Sequence, residues 1–335
     1  MVRMAESTRN AELIDVALPT RRYDAVDDLW IVTAYFNPAG YRSRRVNHEL
    51  FRARVVESGL RLVTVECALG DAPFELPAAP DVLHVRARSV LWHKERLLNL
   101  GVARLPSACT KVAWLDGDVV FDNPAWAVET SRLLDRHAVV QPFARPLRLM
   151  EGCRTARRGD KRGIVATMRC DRPALDSGDA ARHGETGLAW AAQRRVIAAT
   201  GLYDGSVVGG GDHVMAHAWC GGWSSPCLDL LVGRDTAYRR HAQQWASRLP
   251  RDVCGDVAHV EGTLFHLWHG DKDNRFYKAR HRTLQGFAYD PAADLRLGQE
   301  GCWEWASAKP ELHGWVAGYF AQRQEDGAAA GHGEA

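Results

Sequence analysis

The chain has no run of about 18 consecutive apolar residues, so no segment reads as a membrane-spanning helix. Its opening stretch, MVRMAESTRNAELIDVALPTRR, lacks the apolar core of a secretory signal, and the expected location is cytoplasmic. The eight cysteines include no CxxC pair and no zinc-ribbon spacing, so they read as scattered reduced thiols and not as a disulfide framework. Net charge is nearly absent, at +2, which gives no global field for holding nucleic acid or an anionic membrane. There is no internal repeat.

What is present suits a globular chain. Of 335 residues, 46% are apolar and 25% charged, enough for one large α/β domain or two modest ones. WIVTAYF (30–36) reads as a strand from its β-branched and aromatic content. Helical spacing follows over 46–59, then a strand at 60–68, a Pro-rich loop at 71–80 and a short strand at 82–87. A helix is expected over 89–106, stopping near Gly101 and Pro106, and then a strand in KVAWL. This order predicts a largely parallel mixed sheet flanked by helices, with ligands at the carboxyl ends of the strands. Residues 1–27 read as a flexible arm. Residues 145–182, with ten basic and five acidic side chains and little periodicity, read as a mobile basic loop. Short helices and Gly-rich turns are expected over 186–222, a strand pair or strand and turn over 257–270, and a helix in DNRFYKARHRTLQGF. The tail, 321–335, is Gly/Ala-rich toward its end and reads as disordered.

Asp116-Gly117-Asp118 ends the KVAWL strand. Carboxylates at i and i+2 on an extended chain point the same way and repel unless a cation or strong donors lie between them. Magnesium is commonly held by one or two carboxylates plus substrate phosphates, so this tripeptide suits a metal-bound diphosphate. Gly117 would let a ligand approach the backbone. Turn aspartates bonded to backbone N–H groups fit the same residues. HLWHGDKDN adds His266 and His269, either of which could complete a site begun by Asp118; buried, hydrogen-bonded core histidines fit them equally.

In order, the pieces are VTAYFNP; Glu66 on the second strand; a helix with Lys94, Glu95 and Asn99; WLDGDVVF; GLAWAAQRRVIAATGLYDGSVVGGGDHVMAHA; and HLWHGDKDNRF. Together they resemble nucleotide-sugar-dependent glycosyltransferases of the GT-A fold, with WLDGDVVF matching the DxD motif and the glycine-rich piece resembling a galactosyltransferase C-terminal segment. The chain departs from that segment at Val207 and Val208, where Trp-Gly is usual, and at His213, where a second acid is usual. More loosely, the pattern is similar to phage and bacterial glycosyltransferases associated with hydroxymethylpyrimidine bases in DNA.

The resemblance implies a single large domain. Residues 28–125 would form a nucleotide-sugar-binding half, and residues 126–320 an acceptor-binding half. Thr33, Tyr35 and Glu66 would contact the nucleoside, and Lys94 the diphosphate. Asp116 would contact ribose or metal. Asp118 and His269 would ligate Mn²⁺ or Mg²⁺ beside a UDP-sugar. Asp212 would be the general base of an inverting transfer, although it could equally cap the helix that follows. Gly210, Gly211, Trp190 and Trp268 would touch substrate; core packing is the ordinary fate of a single tryptophan. The implied partners are the donor and an acceptor glycan or modified DNA.

Other classes fit less well. VVGGGD fails the GxGxxG fingerprint, because Val214 stands at its third glycine. HVMAH places His213 and His217 at helical spacing but lacks the glutamate of a metalloprotease. A strand-end aspartate phosphatase would carry its acid on the first strand. A non-catalytic sugar- or DNA-binding module is the alternative from another class.

Overall fold

A computed structural model describes residues 12–177 and 182–327. The first half contains β1 (Leu13–Asp15), β2 (Leu29–Phe36), α1 (Arg42–Glu57), β3 (Arg61–Leu69), β4 (Val82–Ala87), α2 (Lys94–Arg104), β5 (Lys111–Leu115) and β6 (Val119–Phe121). Then come α3 (Trp126–Leu134), β7 (Val139–Gln141), β8 (Arg145–Arg148), β9 (Thr155–Arg157), α4 (Ile164–Cys170), β10 (Ala189–Gln193) and α5 (Arg194–Thr200). The chain continues through α6 (Gly211–Cys220), α7 (Pro226–Val232), α8 (Ala237–Ala246), β11 (Val257–His259) and β12 (Thr263–His266). It ends with α9 (Ala279–Gly286), α10 (Pro291–Asp294), β13 (Leu295–Leu297), β14 (Trp303–Trp305) and α11 (Pro310–Gln322).

The central sheet has seven strands in the order β11-β7-β10-β5-β2-β3-β4. Only β10 runs against its neighbours, so the sheet is largely parallel, as expected from the strand–helix alternation. β2 and β5 are buried on both faces because apolar clusters cover each side of the sheet. From β2 the chain moves outward to β3 and β4, then returns to place β5 on the other side of β2. That reversal opens a crevice at the carboxyl ends of β2 and β5. A second, three-stranded sheet, β6-β12-β8, stands beside it. No helix among the described residues is long and apolar enough to cross a membrane.

Several expectations need correction. Gly101 does not stop α2 but lies inside it. A Cβ there would sit 2.4 Å from Val32 Cγ1 and 3.0 Å from Val65 Cγ2, so glycine lets α2 lie close on β2 and β3. The 1–27 arm is anchored from residue 12 onward: β1 pairs with β9, and Tyr23 is buried between Phe121 and Trp126. Residues 1–11 of that arm lie outside the described residues. The basic segment 145–182 is built from β8, β9, α4 and two short 3-10 turns, with residues 178–181 outside the described set. Its folding is driven by apolar anchors, Leu149, Ala156, Ile164 and Val165, that its charge count concealed. The tail is packed as far as Gly327, with Arg323 and Glu325 buried; residues 328–335 lie outside the described residues. β11 and β12 do not pair with each other but join different sheets.

Candidate active site and metal centre

The crevice holds a cavity of about 230 Å³. Its wall includes Asp116, Asp118, Glu185 and Asp212, and six cations: Arg44, Lys94, Arg148, Arg275, Arg280 and Arg323. A second hollow, about 610 Å³, lies among α2, α5 and α8. It has one acid, Asp204, and no cluster of metal-ligating groups among the described residues, so the smaller cavity is the candidate site.

Asp116 and Asp118 sit on a turn between β5 and β6, and they face different partners. Lys94 Nζ lies 2.5 Å from Asp116 Oδ1 and 2.7 Å from Asp212 Oδ2. A lysine in the first turn of α2 opposes the helix dipole; the two carboxylates compensate. Burial alone would lower the Lys94 ammonium, but Asp116 and Asp212 hold it well above its usual range. Burial pushes Asp116 up to about 6, against the pull of Lys94.

Asp118 belongs to the other group. β12 pairs antiparallel with β6, placing His266 opposite Val119, and Leu267 N–H donates to the Asp118 carbonyl at 2.8 Å. His269 Nε2 is then 3.0 Å from Asp118 Oδ2, His266 Nε2 is 3.5 Å from Oδ1, and the two Nε2 atoms are 3.1 Å apart. Burial works to raise Asp118, yet His266 and His269 more than reverse it, holding the carboxyl well below its usual range. Burial pushes His266 down to about 3. An ionised carboxylate and a neutral imidazole are the forms that ligate metal.

Both histidines meet an arginine, and only His269 also meets a carboxylate on its far side. His269 Nδ1 faces Glu325 Oε2 at 3.3 Å, a contact of the kind that orients a ligating imidazole, and Arg275 Nη2 lies 3.1 Å from its Nδ1 and 3.0 Å from its Nε2. His266 Nδ1 instead accepts from the Arg148 guanidinium at 3.0 Å. An acceptor Nδ1 leaves the proton of neutral His266 on Nε2, the atom facing the site. The Glu325 carboxylate is the contact that His269 has and His266 lacks. One carboxylate with imidazole suits Mn²⁺ better than Mg²⁺, which prefers an all-oxygen shell.

Other sequence expectations fare differently. Thr33 and Tyr35 do not line the cavity: Thr33 Oγ1 donates to the Leu115 carbonyl at 2.8 Å, and Tyr35 Oη to Glu75 at 2.5 Å. Ala34 and Phe36 line it instead, because successive strand residues face opposite ways. Glu66 accepts from the N–H groups of Glu75 (2.6 Å) and Leu76 (3.1 Å), anchoring the Pro-rich loop. Trp190 is fully buried, packs on Trp219, and donates to the Thr186 carbonyl. Trp268 lies against Gly327 of the tail and does not line the cavity. Gly210 lines the cavity; Gly211 backs onto Glu95. Asp212 lies inside α6, past its cap at Gly210, and its side chain is turned to Lys94. Gly117 lines the cavity and also makes room for His48, whose Nδ1 would lie 2.8 Å from a Cβ there.

Sequence reasoning missed Glu325, Glu185 and most of the arginines. Glu325 stands in a tail of polar composition. Glu185 is gripped by Arg148 (3.0 Å) and Lys161 (2.9 Å) from a segment read as loop. Arg275 carried a faint signal, standing six residues after His269.

No family of known proteins and no curated protein matches this chain. Solved structures share parts of its chain path. The catalytic domain of Drosophila β1,4-galactosyltransferase 7, in complex with xylobiose, is 9% identical over 87% of this chain and 99% of that one, with a TM-score of 0.37. Another structure of that enzyme holds manganese, UDP-Gal and xylobiose. Mannosyl-3-phosphoglycerate synthase from Rubrobacter xylanophilus is 10% identical over 82% and 83%, at 0.36. The 4-diphosphocytidyl-2C-methyl-D-erythritol synthase of Anaerococcus prevotii is 11% identical over 77% and 100%, at 0.34. All three scores fall below 0.5.

Proposed function

We propose that this protein is a metal-dependent glycosyltransferase of GT-A type, moving a hexose from a nucleotide-diphosphate donor, a UDP-sugar by preference, to an acceptor hydroxyl. One observation carries the reading. The Asp118–His269 group and the Lys94–Asp116–Asp212 group share one cation-lined cavity at the carboxyl ends of β2 and β5.

In this reading Asp118 and His269 hold a divalent ion, Mn²⁺ by their chemistry, and Glu325 fixes the His269 ring. When bound, the ion stabilises negative charge on the leaving diphosphate. Lys94, Arg148 and Arg275 hold the phosphate oxygens through charge-assisted hydrogen bonds. As the diphosphate draws Lys94, Asp212 is freed to accept the acceptor hydroxyl's proton during attack on the anomeric carbon. Direct attack by one nucleophile inverts the anomeric configuration. Gly187 borders the cavity beside Asp212.

The cavity is smaller than the roughly 300–1,000 Å³ of ordinary ligand sites, so it suits sugar and diphosphate. The nucleoside would lie toward Phe36 and Trp92, whose rings meet edge to face at 5.7 Å. A glycan hydroxyl is the favoured acceptor. In the basic segment, Arg148 and Lys161 turn inward onto Glu185, which leaves less charge for DNA phosphates.

The test is thermal shift and sugar release with UDP- and GDP-sugars, with and without Mn²⁺, on wild type and Asp118→Asn. Metal-dependent stabilisation by one donor, with slow hydrolysis that Asp118→Asn abolishes, supports the reading. Silence toward every nucleotide overturns it, and a wild type that binds acceptor without any turnover favours a binding module.

A further inference from the structure

The rejected HVMAH spacing leaves His213 and His217 without a role, and His183 and Cys227 converge on them. His213 and His217 stand one turn apart on α6, His183 lies in the segment before β10, and Cys227 opens α7. The ligand atoms of these four all lie within 4.8 Å of one another. The three imidazole rings form a tight triangle, with centroids 4.7, 5.0 and 5.1 Å apart. His217 and His183 are 0% and 1% exposed.

Two of the three tautomers are fixed by the backbone. His217 Nδ1 donates to the Gly222 carbonyl at 3.1 Å, and His183 Nδ1 to the Gly184 carbonyl at 3.1 Å. A carbonyl only accepts, so each Nδ1 carries the proton and each neutral ring presents a lone pair at Nε2. The Nε2 atoms of His183, His213 and His217 are buried, with no hydrogen-bond partner among the described residues. Buried acceptors converging on each other without a donor are unfavourable unless a cation joins them. A backbone carbonyl on the far nitrogen is also the usual outer support of a metal-bound histidine.

We propose that His183, His213, His217 and Cys227 bind a zinc ion. Three imidazoles and a thiolate make a closed, tetrahedral, borderline-soft set that favours zinc over Mn²⁺ or Mg²⁺. A zinc tetrahedron of these ligands has edges of about 3.5 Å, so the four side chains close by about 1 Å around the ion. The site joins α6, α7 and the segment leading to Glu185. Asp212 adjoins His213, so the zinc fixes the first turn of α6 and with it the cavity wall. His213 and Cys227 line that wall, while His183 and His217 lie behind it. The site is separate from Asp118 and His269, and it stands whether or not the protein transfers sugar.

The test is metal content of the purified full chain by plasma mass spectrometry, followed by cobalt substitution. One zinc per chain is expected, retained by Asp118→Asn and lost by His217→Asn and Cys227→Ser. Cobalt replacing zinc in the wild type should give intense tetrahedral visible absorption and a thiolate charge-transfer band. Cys227→Ser should remove that band while circular dichroism reports a folded chain. Zinc at trace level with no tetrahedral cobalt spectrum in folded wild type overturns the proposal. So does zinc that Asp118→Asn loses and Cys227→Ser keeps. Because the cobalt spectrum is read on wild type, a variant that fails to fold does not protect the proposal.

Discussion

Asp116 and Asp118 are two residues apart yet answer to different neighbours, one to Lys94 and the other to two histidines. At this scale the chemistry divides cleanly, and so do its tests. Replacing Asp212 with Asn should lower the transfer rate about 10²–10⁴-fold. Metal-dependent donor binding, followed by thermal shift, should persist, since Asp212 lies outside the Asp118 group. Equal loss of binding and rate would remove Asp212 from the role of base. Glu325→Gln should weaken Mn²⁺ about 10–100-fold, the usual effect of removing a histidine's outer carboxylate. Titration of Mn²⁺ against thermal stability reads it, and an unchanged affinity would leave Glu325 a packing residue.

At the scale of elements, strand parity and strand pairing decide what faces the cavity. β2 was legible from its β-branched run, but not which of its faces the crevice uses. Thr33 and Tyr35 look inward to Leu115 and Glu75, while Ala34 and Phe36 meet the cavity. β10 was hidden inside a stretch read as short helices and turns; its pairing with β5 sets Trp190 opposite Trp114. Trp190 is thus a core residue, and Trp190→Ala should destabilise the fold by about 3–5 kcal/mol. Chemical denaturation measures this. A variant of unchanged stability with weakened sugar binding would return Trp190 to the site.

At the scale of the molecule, the first and last described segments both pack back onto the fold. β1 docks on β9, and the tail returns to α1, where Asp326 accepts from the N–H groups of Arg42 (2.8 Å) and Ser43 (2.7 Å). Inside, Glu95 is buried beside Gly211, and its oxygens have no hydrogen-bond partner among the described residues. Burial pushes its pKa from 4.5 up to about 8, with Asp212 adding to the rise. The folded state therefore holds this proton more tightly than the unfolded chain. Its contribution to stability is full below about pH 4.5 and is lost as pH rises toward about 8. Glu95→Gln should flatten the decline of Tm over that window; an unchanged pH profile would show that Glu95 does not titrate there.

The sequence by itself determined the elements from β2 to β5 and their order, because β-branched runs, helical spacing and turn residues act locally. It also marked Asp118, His266 and His269, since strand-end acids and a short histidine spacing are local patterns too. Only the tertiary structure decided that Asp116 belongs with Lys94, that Glu325 of the tail supports His269, and that His183, His213, His217 and Cys227 converge. Those groupings depend on contacts between residues as far as 22, 56 and 44 positions apart in the chain. Such contacts are set by strand pairing and helix packing, which leave no periodic trace in any one segment.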